Sequence, residues 1–103
     1  MFRRKRFGDL VAMQLDVFAI DHAHRLEALS RTLEEYRRSD RDDAEERYGD
    51  YADEIDWAAE ELAEMRDAYA MTLDPELVDQ YEREFSQAVR KRHPAIAVIL
   101  DTL

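Results

Sequence analysis

The chain has 103 residues and a formal net charge of −10; this length suits one domain, and the negative charge repels nucleic-acid phosphates. There is no cysteine, which excludes a disulfide framework, a zinc ribbon and a thiol nucleophile. Two glycines and two prolines leave little material for turns, and abundant Ala, Leu, Glu and Arg favour long helices.

The charge is unevenly placed. Residues 40–74 hold 14 acids against 3 bases, whereas residues 1–8 carry +4. That basic start, Phe2-Arg3-Arg4-Lys5-Arg6-Phe7, resembles the n-region of a signal peptide. Asp9, Gln14, Asp16 and Asp21 interrupt the apolar run that would have to follow. No stretch approaches the roughly 20 apolar residues of a membrane span. The expectation is a cytoplasmic protein whose basic start neutralises an acidic helix of the same or a neighbouring chain.

In chain order, the first predicted helix covers residues 9–38. Val11, Leu15, Phe18, His22, Leu26, Leu29, Leu33 and Tyr36 recur at steps of three and four, a helical stripe. Two successive steps of four meet at His22, where the stripe drifts from a strict heptad. Met13, Val17, Ile20 and Ala23 lie partly off it. A helix apolar on more than one face is buried between neighbours or faces a second chain.

Ser39-Asp40-Arg41-Asp42-Asp43 is the first break. Ser39 or Asp40 suits an N-cap, and the acids that follow suit the positive end of the helix dipole. The second predicted helix covers residues 42–72. Tyr48, Tyr51, Ile55, Ala58, Leu62, Met65, Tyr69 and Thr72 alternate steps of three and four, a seam like that of a coiled coil. Asp74-Pro75-Glu76 opens a third helix, residues 75–92, by cap, fixed φ and acidic first turn. His93-Pro94 stops it. Residues 94–103 form an apolar tail, expected as a short helix because a lone strand lacks a partner.

No catalytic motif stands out. Ser30, Ser39 and Ser86 have no histidine at useful spacing, and no Gly-rich loop exists to hold phosphate; no enzyme and no cofactor are expected. Trp57 sits off the seam beside Asp53, Asp56, Glu60 and Glu61. With Tyr48 and Tyr51 it forms the candidate partner-binding set, because an off-seam Trp suits an interface anchor and tyrosines suit interfaces. Asp21 and His24, spaced i, i+3, match half of a bundle di-metal site, with Glu60 and Glu64 as further donors. His22, on the apolar stripe, reads as a core histidine whose protonation below about pH 6 loosens the packing.

The resulting expectation is an all-α protein: a long antiparallel helical hairpin, a shorter third helix and a short C-terminal helix, completed as a bundle by homodimerisation. Its expected role is a non-enzymatic protein–protein interaction module (an adaptor, an inhibitor or an assembly subunit) with a basic protein as a further partner and no direct contact with nucleic acid. The alternatives are a carboxylate–histidine metal protein and an acidic mimic of nucleic acid.

Overall fold

The computed structural model describes residues 6–103. They form five helices: α1 (Gly8–Asp21), α2 (Ala23–Arg38), α3 (Ala44–Ala70), α4 (Pro75–Arg92) and α5 (Pro94–Leu100). There is no strand among the described residues, so the apolar tail is helical as expected. Residues 1–5 of the basic start lie outside the described residues, as does their expected neutralising role. Of the remainder, Arg6 is exposed and Phe7 is buried.

One expectation is corrected. Residues 9–38 do not form one helix, because the backbone bends at His22 (φ −115°, ψ 24°). The cause lies in what each half must face. α1 pairs with α4: Tyr81 donates its hydroxyl to Gln14 at 2.9 Å, and Arg92 meets Asp16 at 2.6 Å. α2 pairs with α3 instead, through Arg25–Glu54 at 3.0 Å and Arg47–Glu35 at 3.3 Å. A straight helix cannot face both partners, and the change of direction is taken up where the stripe already drifts. The hairpin is therefore α2–α3, not residues 9–72, and α1 leaves it to lie against α4.

The two α2–α3 ion pairs join 25 to 54 and 35 to 47, so the helices run antiparallel. At their tip, Ser39 donates its hydroxyl to the Tyr36 carbonyl at 2.6 Å, closing α2. The Asp40 carboxylate accepts from the amides of Asp42 and Asp43 at 3.2 Å each, holding the turn that leads into α3. Between α3 and α4, Asp74 holds the N-cap position with Pro75 at N1, but its carboxylate makes no capping bond.

The core gathers where α1, α3, α4 and α5 meet. Val11, Leu15 and Phe18 of α1, Ile55, Ala58, Ala59 and Leu62 of α3, Tyr81, Phe85 and Val89 of α4, and Ile96, Ala97 and Leu100 of α5 are buried. Ala58, Ala59 and Ala63 give α3 a face of small side chains, which lets neighbouring backbone come close. α2 contributes only Leu29 as a buried residue, and the described part of α3 before Ile55 contributes none. The hairpin tip is consequently an arm that extends away from the core. The molecule measures 51 × 27 × 24 Å, with a radius of gyration of 15.8 Å, against about 13 Å for a compact chain of this length.

Two charged residues are buried in this core. Glu84 accepts the Phe7 amide at 2.9 Å and the Gln80 side-chain amide at 3.1 Å. It thereby pins the chain just before α1 to α4. Arg66 donates to the exposed carboxylate of Asp67 at 2.9 Å. Both are partnered, as burial demands.

Candidate interaction surfaces

The bend at His22 builds an aromatic cluster around Trp57. Trp57 stacks on Phe18 with centroids 6.4 Å apart, and the His22 ring stands edge-on to it at 5.1 Å. The Arg25 guanidinium lies 3.9 Å above its ring centre. Trp57 is therefore half-buried and packed against the core rather than freely presented, because the turn from α1 to α2 folds side chains over it. His22 is also only half-buried; its Nε2 lies 3.8 Å from a Glu61 carboxylate oxygen.

The remaining members of the partner-binding set fall on two faces of α3. Asp53, Asp56 and Glu60 are exposed and make no ion pair with another described residue. Glu46, Asp50 and Glu64 extend this acidic ridge along the helix. Glu61 is turned toward His22 instead. Tyr48 is 54 % exposed and its ring lies 5.5 Å from that of Tyr36 across the arm. Tyr51 is half-buried.

Beside the ridge, two apolar hollows adjoin. One, of about 180 Å³, is lined by Leu29, Leu33, Tyr51, Ile55 and His93 to Ile96, with Ser30. The other, of about 280 Å³, is lined by Tyr48, Tyr51, Ala52, Ile55, Asp56, Ala95, Val98 and Ile99. They share Tyr51, Ile55 and Ala95, so they form one trough between the arm and α5. The position of this trough depends on how α5 seats against α3, which no local pattern encodes. The one available signal was the length of the apolar run 95–100, longer than a single buried face requires.

His93, at the α4–α5 junction, borders the trough and contacts Phe18 edge-on at 6.1 Å. Burial depresses its pKa below the usual value of 6.5, and the adjacent Arg92 cation adds to the effect. Tyr81, buried at the α1–α4 contact, is shifted the other way: burial raises its pKa, partly offset by the hydrogen bond with Gln14.

A third surface is the outer face of α1. Met13, Val17 and Ile20 are 57 %, 44 % and 74 % exposed. Their steps of four and three place them in one row, opposite Val11, Leu15 and Phe18 in the core. α1 is thus apolar on both sides and covered on one.

The candidate metal set does not come together. Asp21 ends α1, His24 lies beyond the bend in α2, and both are exposed; the bend removes the continuous helix that i, i+3 ligation needs. Glu60 and Glu64 are also exposed. No group of three or more His, Asp or Glu side chains suited to an ion occurs among the described residues.

A further hollow, of about 510 Å³, is open and lined by Asp79, Glu82, Arg83, Ser86, Gln87, Arg90 and Asp101. Charges of both signs line it, and the Arg90–Asp101 pair at 3.1 Å ties α4 to the end of α5. No helix among the described residues is long and apolar enough to cross a membrane. Comparison with protein families, curated proteins and solved structures finds no match to this chain.

Proposed function

We propose that this protein is a non-enzymatic interaction module that works as a homodimer paired through the outer face of α1. The observation that carries this reading is the row Met13–Val17–Ile20. Three large apolar side chains in register on one rigid helix are costly to leave in water, and contiguous patches of this kind mark interfaces. A second copy suits the row because the row is self-complementary. In a twofold antiparallel pairing centred between Met13 and Val17, Met13 faces the partner's Val17 and Leu10 faces its Ile20. The same register sets Asp9 opposite the partner's Asp21 at both ends, so the pairing rests on the apolar row and not on charge. The acidic ridge of α3 stays outside this contact, where it does not oppose itself.

Light scattering on a size-exclusion column tests the reading with wild type and Val17→Glu. A mass of two chains that falls to one in the variant is the expected result. An unchanged dimer in Val17→Glu, or a wild-type monomer at tens of micromolar, removes the α1 interface. Val17 is exposed, so the variant keeps its fold, and its circular dichroism at 222 nm should match wild type.

A further inference from the structure

We infer that the trough between the arm and α5 is the docking site for a short, basic amphipathic helix of a partner protein; this deepens the interaction-module reading and rests on it. The argument begins with shape. The trough floor runs from Tyr48 to Ile55 along α3, seven residues or about 10 Å, with Val98 on the opposite wall. That length matches two turns of a helix laid into a groove through apolar residues at i, i+3, i+4 and i+7.

Chemistry then narrows the occupant. Val98 is 67 % exposed, a large apolar side chain left in water on the wall of an apolar channel. Asp56 is the one acidic or basic side chain lining it, apart from His93, whose burial favours the neutral imidazole. Asp53 and Glu60, exposed and free of ion pairs with other described residues, continue the acidic side next to Asp56. The nearest cation on this half of α3, Arg47, is held by Glu35 at 3.3 Å on the side toward α2. An apolar floor beside uncompensated negative charge selects a ligand with an apolar stripe and flanking cations. It rejects nucleic acid and anionic lipid, which carry the ridge's own sign. A second copy is disfavoured as well, because it would bring two acidic ridges together.

The test uses a 14-residue leucine/lysine peptide with leucines at i, i+3, i+4 and i+7, and its leucine/glutamate counterpart. Binding is followed by fluorescence anisotropy of the labelled peptide, and the site by backbone amide shifts of the full chain. The lysine peptide should bind and move the amides around Ala52, Ile55 and Val98; the glutamate peptide should bind at least tenfold more weakly. Val98→Lys, a change at an exposed position, should weaken binding at least tenfold. Asp53→Asn with Asp56→Asn and Glu60→Gln should weaken it severalfold and flatten its salt dependence. Equal binding by wild type and Val98→Lys, or shifts confined to the ridge, would make the contact a charge effect alone and overturn the proposal. Loss of self-association in Val98→Lys would assign the trough to a second copy, with the same consequence. Repeating the titration on Val17→Glu separates the two readings. Peptide binding that survives in that variant keeps the trough whatever becomes of the α1 dimer, and a monomeric variant that ignores the peptide removes the trough alone.

Discussion

Arg25 lies over Trp57, its guanidinium carbon 3.9 Å from the ring centre, while its Nε donates to Glu54 at 3.0 Å. One side chain thus covers the indole and ties α2 to α3 immediately beyond the bend. Trp57→Ala should cost about 2–3 kcal/mol, below the about 3–5 kcal/mol of a fully buried large aromatic, because its ring is half-buried. Arg25→Ala should cost about 1 kcal/mol, because exposed cation–π contacts and surface ion pairs are each worth up to about 1 kcal/mol. Urea unfolding monitored by circular dichroism measures both. A Trp57→Ala loss no larger than that of Arg25→Ala would mean that the cluster does not hold the bend.

Leu62 is fully buried at the centre of the α3 seam. Leu62→Ala should lower stability by about 2–5 kcal/mol. Met71, at the end of α3 and 87 % exposed, is the matched control, and Met71→Ala should stay within about 0.5 kcal/mol. Denaturant midpoints of the two variants, read at equal slope, decide whether the alternating seam is the core face.

Glu84→Ala should leave the Phe7 amide without its acceptor and cost about 1–3 kcal/mol. The distinctive readout is local. Hydrogen exchange at Phe7 should accelerate in the variant, while amides in the middle of α3 slow or quicken only with global stability. Protection at Phe7 equal to that of wild type would show that the start of α1 is held by packing alone, through Phe7 against Tyr81 at 5.5 Å.

The depressed pKa of His93 sets a sign for pH dependence. The unfolded chain takes up a proton at this residue near pH 6.5, while the folded chain does so only at lower pH. Between those two values the unfolded state binds more protons, so stability falls as pH falls, and the loss is complete below the folded value. His93→Asn removes this step. Between pH 7.5 and pH 5.5 the urea midpoint of wild type should therefore drop more than that of the variant. Parallel curves would place the acid sensitivity elsewhere.

The helical pattern, the middle of the α3 seam (Ile55, Ala58 and Leu62), the Pro75 start and the helical tail follow from residue order because each depends on neighbours three or four positions apart; the ends of that seam, Tyr48 and Thr72, are exposed. The bend at His22 does not follow from residue order. It follows from the pairing of α1 with α4, across contacts such as Gln14–Tyr81 and Asp16–Arg92, separated by 67 and 76 residues. The double step of four at His22 was its only trace. The packing of Trp57 is hidden for the same reason: it is off the seam of its own helix, but the bend carries Phe18 and Arg25 onto it. Glu84 is likewise invisible as an anchor until the chain start arrives from 77 residues away. A carboxylate three residues after Tyr81, on the apolar face of α4, was the available hint.

The α2–α3 arm has a consequence for how such a chain can vary. Its outer half supplies almost nothing to the core, and its two strands of contact run antiparallel in repeating turns. Seven residues added to each helix at matching positions would move the tip outward by about 10.5 Å with the heptad register kept. The base of the arm, the trough and the outer face of α1 would remain as they are. Reach is therefore a property this architecture can change independently of stability, by lengthening or trimming a hairpin that the rest of the molecule does not need to notice.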